Sequence, residues 1–463
     1  MKLERRTRLN PEMLGIIWAL AWPTMLEQLM QTAVQYIDTA MVGVLGTSAT
    51  AAVGATGTVN WLVNSSISAL SIGFLSYIAR ARGAGDERAV KRAVAQVVLT
   101  ALLVGTVFTA LTVGLSSLVP VWMQVDPALQ SLAGKYFLII YLPMLPRTAS
   151  IMFGTVLRAV GDTKTPMKIG VAMNITNVVL NFLLIYESRT LTLFGREVFV
   201  PGAGMGVLGA ASASAIAFAL GGIVITVVLL RHKVASPLGE RFRFDGEVMR
   251  PCLRVALPNM LQRFGTSFGY VAFASMINAL GPVATAAHTI ANTVESAFYI
   301  PGFGMQTAAA TLAGNAYGAS DRKRMKELSD MFLPLEIALM FVSGGLLFAF
   351  APALMDIFSD SAEVIALGAV VLRMVAVSEP FYGVSIIVEG MMQGVGRTKE
   401  PFRYNILGMW GVRIVGTYIC TKHLGFGLVS AWACMIGHNM LVFALFLRCF
   451  VSGRWNPLNR TET

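Results

Sequence analysis

Thr24, Glu27, Gln31, Gln35 and Asp38 follow one another at spacings of 3, 4, 4 and 3 in an otherwise apolar stretch. Such steps fall on one side of an α-helix. Glu27 and Asp38 are eleven residues apart, about three turns and ~17 Å of axis. A polar stripe of that length does not face lipid; ionisable groups inside a membrane segment turn toward a cavity or a partner. Asp38 sits eight residues inside the far end of its segment, ~12 Å along the axis. A carboxyl removed from water favours its neutral form, so a group placed there can trade a proton for a cation. A structural carboxylate, hydrogen-bonded to neighbouring helices, fits the same spacing.

Asn174, Asn177 and Asn181 form a second stripe at i, i+3 and i+7. Amides serve a neutral or an ionised carboxyl, and their oxygens coordinate cations. They also act as interhelical glue. Later in the chain His288, Asn292, Glu295 and Tyr299 share a face, and Glu379, Tyr382 and Glu389 lie in another apolar segment. Glu295 is the functional candidate of this group. Arg147, Arg263, Arg373 and Arg413 lie inside apolar segments, and pairing of Arg263, Arg373 and Arg413 with these acids is the expectation. Glu336 stands alone and receives no role.

The elements that carry these residues follow from composition. Of the 463 residues 55 % are hydrophobic and 13 % charged, about half the ~25 % charge of a soluble domain. Mean hydropathy is +0.66. Apolar segments long enough to cross a ~30 Å hydrocarbon layer recur at 13–45, 52–80, 93–120, 131–157, 166–187, 204–230, 251–280, 283–317, 327–358, 363–394, 402–422 and 426–450. The spacing predicts twelve helices, because backbone cannot stay unpaired in lipid. No cleavable signal peptide is expected: the first segment is long and lacks a small-residue cleavage site.

Net charge is +11. Its distribution argues topology and against a nucleic-acid partner. Of the 36 basic residues, 28 fall in alternate connections: the amino terminus (Lys2, Arg5, Arg6, Arg8), 80–92, 158–168, 231–254, 322–326, 397–403 and from 448 onward. By the positive-inside rule both termini are cytoplasmic. Cys252, Cys420, Cys434 and Cys449 have no metal spacing and read as small buried hydrophobes.

Residues 21–86 align without a gap on 256–321, a shift of 235, with 17 identities in 66 positions. The same shift brings VGDTKTPM at 160–167 onto VGRTKEPF at 395–402, and a weaker echo links 204–212 to 425–433. The chain reads as halves 1–235 and 236–463, each of six helices. An even number makes the repeats parallel, related by a pseudo-two-fold along the membrane normal. Two such bundles leave a cleft, and rocking them alternates access between the two faces. The expected fold class is therefore an all-α polytopic membrane protein, and transport is the expected activity.

Several signals are set aside. Gly204, Gly206 and Gly209 make a GxGxxG, but no strand is read before them. The Asn174-Ile175-Thr176 sequon lies in a span. There is no HExxH or Walker A motif, and no enzyme activity, metal or cofactor is expected beyond a coupling ion. The 25 Met and 26 Phe suit adaptable binding of large apolar ligands, and equally suit lipid contact.

The motifs resemble the multidrug and toxic compound extrusion (MATE) family. The pieces are Pro23, then Ile37-Asp38-Thr39-Ala40-Met41-Val42-Gly43, Leu45-Gly46 and Ala51-Ala52-Val53-Gly54. Gly83-Ala84-Gly85-Asp86, Arg158 to Lys164, Asn177 to Asn181 and Gly394 to Thr398 follow in order. The resemblance implies a V-shaped pair of six-helix lobes in a plasma membrane, a bacterial inner membrane. It implies a monomer among lipids that exports drugs, often organic cations, by antiport against H+ or Na+. It puts ion coupling at Asp38, a helix bend at Pro23, and Tyr136, Asn177 and Asn181 in the same cavity. Gln31, Gln35, Asn174, Glu27 and Glu295 are the matching substrate-cavity candidates. Many relatives carry Asp at the place of Asn181, and NorM-like members carry acids where Thr266 and Tyr382 stand. The first departure weakens a fixed Na+ site, and the second favours a DinF-like arrangement with H+ as the ion. A lipid-linked precursor flippase of the same broad fold is the alternative; its phosphate would need the intramembrane arginines.

Overall fold

The structure is a computed structural model. It describes residues 10–123, 125–193 and 196–460, with the side chains of 47–52, 54–58, 191–193, 196–198 and 460 outside the description. The basic residues Lys2, Arg5, Arg6 and Arg8, and the side chains of Ala51, Ala52 and Gly54, lie outside the described residues.

Apolar runs bounded by glycine turns and acidic caps make long helices. They are α1 (Pro11–Gly43), α2 (Thr47–Gly83), α3 (Glu87–Gly114), the short α4 (Val119–Trp122), α5 (Pro127–Tyr141), α6 (Met144–Ala159) and α7 (Lys164–Leu184). After a two-stranded ribbon come α8 (Val207–Arg231), α9 (Gly246–Asn278), α10 (Pro282–Gly318), α11 (Arg322–Asp356) and α12 (Ala362–Gly394). The chain ends with α13 (Lys399–Ile406), a π-helical stretch Leu407–Ile414, α14 (Val415–Tyr418), a second π stretch Ile419–His423, and α15 (Leu428–Val451). Asp126 caps α5 by accepting from the Ala128 amide, and Asp321 caps α11 through the Arg324 amide at 2.9 Å.

Among the described residues, eight helices are long and apolar enough to span a membrane, and α5 with α6 makes a ninth span bent by 48°. With α9, α10 and the run Lys399–His423 these are the twelve expected spans. The segment 131–157, read as one span, bends where Leu142-Pro143 interrupts it. The ribbon is the exception to the all-α expectation: β1 (Glu187–Leu193) pairs antiparallel with β2 (Arg196–Ala203). A strand thus precedes Gly204, contrary to the sequence reading. It belongs to a hairpin outside the spans. Gly209 still serves close packing, since a Cβ there would lie 2.4 Å from the Leu184 carbonyl oxygen.

Two compact units form. One comprises the described parts of Met1–Gln28, Ile72–Glu87 and Arg250–Thr463; the other comprises Leu29–Ser71 and Arg88–Met249. The boundaries fall inside α1 and α2, so packing groups the residues differently from the halves 1–235 and 236–463. The first unit contains two apolar cores. Ile17, Ala21, Phe332, Ile387, Met391 and Phe446 mark one; Phe273, Ala291, Leu347, Leu372 and Trp432 mark the other. In the second unit α8 packs on α5, α6 and α7.

The repeat is written into the first unit as geometry. A Cβ on Gly83 would meet the Asn315 carbonyl oxygen at 1.9 Å, and a Cβ on Gly318 would meet that of Arg80 at 1.9 Å. Gly83 and Gly318 are partners under the 235-residue shift, and so are Arg80 and Asn315. The contact is reciprocal, so these ends of α2 and α10 meet about a local two-fold axis. Both helices then close alike: the Asp86 amide donates to the Ala81 carbonyl and the Asp321 amide to the Ala316 carbonyl, each at 3.0 Å. Gly85 supplies the left-handed turn at φ 73°, and its counterpart Ser320 takes φ 54°.

Candidate functional site

The polar stripe of α1 divides by environment. Thr24 and Glu27 are buried; Gln31 and Gln35 are exposed; Asp38 is half-buried. The Thr24 hydroxyl lies 2.9 Å from the Gly304 carbonyl of α10, and also faces the Leu20 and Ala21 carbonyls of its own helix. Pro23 lies within one uninterrupted helix.

Asp38 meets α7. The Asn181 amide donates to its Oδ1 at 2.5 Å. Asn177, with its amide turned so that the oxygen accepts from the Ser214 hydroxyl at 3.0 Å, donates to Oδ1 at 2.9 Å and Oδ2 at 3.3 Å. The i, i+4 spacing of the two asparagines puts both amides on one carboxylate. Asn177 and Asn181 are 6 % and 1 % exposed. The Asn181 Oδ1 is buried and has no hydrogen-bond partner among the described residues, leaving one free acceptor beside the carboxylate. No basic side chain forms an ion pair with Asp38 among the described residues.

Tyr136 is buried, within electrostatic reach of both Asp38 and Arg147, and makes no hydrogen bond to Asp38. Asn174 stays apart, with a buried Nδ2 that lacks a partner. Glu295 belongs to the other unit, buried at 6 % exposure. Ser214 of α8 is the member that the sequence reading missed; a lone serine in an apolar helix carries no periodic signal.

The ion pairs expected of Arg263, Arg373 and Arg413 are not formed among the described residues. Arg147 donates to Asn60 Oδ1 at 2.7 Å and lies over the Phe218 ring at 4.4 Å. Arg413 lies over Phe273 at 4.1 Å and Tyr270 at 4.8 Å. Arg373 reaches the Phe348 carbonyl at 3.4 Å. Aromatic faces and neutral oxygens replace carboxylates, because the ring quadrupole attracts a desolvated guanidinium. Glu389, expected near an arginine, lies within electrostatic reach of Arg263 and accepts from the amides of Gln262, Gln393 and Asn405 at 2.9, 3.2 and 3.1 Å. Glu336, set aside as isolated, is fully buried with both oxygens unpartnered. An apolar cavity of about 210 Å³ lies between Trp18, Met25, Met305 and Leu335.

A polytopic helical bundle with a carboxylate cradled by amides defines the class, an integral multi-pass membrane protein with an internal polar site. The MatE family model matches residues 23–183 and 258–419, and the chain belongs to this family, one of transporters. A probable multidrug resistance protein NorM of Thermotoga maritima is 27 % identical over 452 residues, covering 96 % of this chain and 94 % of that protein. The probable multidrug resistance protein YpnP of Bacillus subtilis is 25 % identical, covering 94 % of each. The fold matches a crystal structure of MATE in complex with MaD3S at a TM-score of 0.87, with 22 % identity over 96 % of this chain and 97 % of that one. It matches a MOP superfamily transporter from Pyrococcus furiosus at 0.87, with 23 % identity over 99 % and 100 %.

Proposed function

We propose that the chain is a multidrug exporter that expels amphipathic, cationic small molecules by antiport against protons, with Asp38 as the coupling group. The observation that carries this reading is the Asp38 carboxylate held by two amides and, among the described residues, by no basic side chain. An amide can turn: its nitrogen donates to a carboxylate, and its oxygen accepts from a carboxylic acid. Asn177 has the Ser214 hydroxyl behind it, which can accept or donate in turn. The cluster therefore suits both states of Asp38.

In this mechanism substrate binds while Asp38 is ionised. A proton arriving from outside neutralises it, α1 rearranges near Pro23, and the substrate leaves. Linkage requires proton and substrate to weaken each other's binding by the same factor. Gln31, Gln35, Asn174, Glu27 and Glu295 are the substrate-binding candidates of this reading, and Tyr136 supports the coupling site. Na+ is the less favoured ion, since Asn181 contributes no charge. Thr266 and Tyr382, where NorM-like members carry acids, support a reading nearer the DinF-like branch. The halves 1–235 and 236–463 act as lobes of a monomer, with both termini in the cytoplasm of a bacterial inner membrane.

The test is dye efflux from reconstituted vesicles with pH and Na+ gradients imposed separately. Efflux follows the pH gradient, and Asp38→Asn inserts normally but transports nothing. Full pH-driven efflux by that variant would falsify the mechanism.

A lipid-linked precursor flippase is the second reading, favoured by Arg147 and Arg413, neither of which pairs with a carboxylate among the described residues. Competition for binding by a lipid-linked pyrophosphate, and not by a cationic dye, would select it.

A further inference from the structure

The 235-residue shift sets Phe273 at the place of Asp38, Tyr270 at that of Gln35, and Val412 and Gly416 at those of Asn177 and Asn181. The carboxylate and its amide donors have no counterpart in the second half. Arg413, next to Val412, lies instead over both substituted rings. It is 3 % exposed and sits in the π-helical stretch Leu407–Ile414. Such widened turns recur at functional sites. Duplication has left a cation where the first half keeps an anion.

Other donors gather around it. His288 stacks edge-on between Phe273 at 5.5 Å and Trp432 at 5.8 Å. The Arg413 charge reaches His288, His438 and Glu295. Arg413 Nε, His288 Nδ1, His438 Nδ1 and Trp432 Nε1 are all buried without a hydrogen-bond partner among the described residues. Each of these four residues is at least nine-tenths buried. The guanidinium and indole nitrogens only donate, and imidazole nitrogens can. Buried donors are costly when left unmade. Glu295 does not satisfy them: it forms no hydrogen bond or ion pair among the described residues.

We infer that Arg413, His288, His438 and Trp432 form an anion site that takes one singly charged group, a halide or a carboxylate. Aromatic walls strengthen the guanidinium field by excluding water. Glu295 is the site's electrostatic competitor. The site does not depend on Asp38, so it stands or falls apart from the coupling mechanism.

Iodide quenching of intrinsic fluorescence tests it in the purified full-length chain, with ionic strength held by sulfate. Subtracting the Trp432→Phe signal isolates Trp432. The expected Trp432 component saturates with iodide, and chloride or acetate reverses it. Arg413→Gln weakens the apparent iodide affinity at least tenfold, Arg413→Lys weakens it less, and Glu295→Gln tightens it about threefold. If Arg413→Gln does not fold, the Arg413→Lys and Glu295→Gln shifts still decide. A Trp432 signal that is linear in iodide, or affinities that ignore Glu295→Gln, overturns the proposal.

Discussion

Asn181 of α7 donates to the Asp38 carboxylate of α1 across 2.5 Å, while its own oxygen stays buried and unpartnered. One residue thus offers a donor to the charged state and a vacant acceptor beside it. Replacing Asn181 by Asp exchanges the donor for a second carboxylate. Two carboxylates this close do not both ionise without a cation between them. Asn181→Asp is expected to make dye efflux respond to a Na+ gradient where the parent chain responds to pH. A variant still indifferent to Na+ would count against the placement of the ion.

The reciprocal glycine contact leaves no room for a methyl group. Gly83→Ala and Gly318→Ala each force a Cβ into a carbonyl oxygen at 1.9 Å. Overpacking against backbone of this kind costs about 2–3 kcal/mol. Thermal unfolding in detergent should show a clear loss for each variant. Because the two sites share one contact, their effects should not add.

Ser320 adopts the left-handed conformation that its counterpart Gly85 adopts freely. For an L-residue this costs roughly 1–2 kcal/mol. Ser320→Gly should stabilise the chain by about 1 kcal/mol, read as a raised unfolding midpoint. Gly85→Ser should destabilise by a similar amount. Equal midpoints for parent and Ser320→Gly would show that the turn is set by other contacts.

At the membrane surface Arg92 of α3 holds Asp245, and lies 3.2 Å from Glu247. Gln96 pins the same loop, donating to the Arg243 carbonyl at 2.8 Å and accepting from the Asp245 amide at 3.0 Å. The Arg92 hydrogen bond, helped by the Glu247 backbone amide, keeps the Asp245 carboxyl below its usual range. A carboxyl whose folded value is depressed contributes stability above its unfolded value and loses it as pH falls through the folded one. The unfolding midpoints of the parent chain and Asp245→Asn should therefore differ at neutral pH. They should begin to converge as the pH drops below about 3.9, the ordinary Asp value, and meet only below the depressed folded value. A difference that persists unchanged in acid would assign the effect to packing.

Much of the arrangement was legible because it is periodic. Stripes at steps of three and four residues marked Asp38, Asn177 and Asn181, since polarity in an apolar helix stands out. The 235-residue repeat marks α2 and α10 as equivalents. What stayed hidden lacks period. Ser214 is one hydroxyl among many in α8. The 187–203 hairpin is too short and polar to register against long apolar runs. The arginines misled for a physical reason: sequence suggests charge partners, whereas a guanidinium in a dry bundle is as well served by the flat faces of Phe218 or Phe273. The π stretches in 407–423 follow from backbone hydrogen bonding that no side-chain pattern reports.

The mutual seating of Gly83 and Gly318 has a historical corollary. A joint that is its own mirror ties each copy of the duplicated gene to the other at that spot: neither can enlarge without evicting its twin. Some 45 residues earlier along each copy, no such bargain holds. There one descendant kept an aspartate and the other settled on phenylalanine. A shared clasp with free arms is how a doubled ancestor can come to own two unlike chambers.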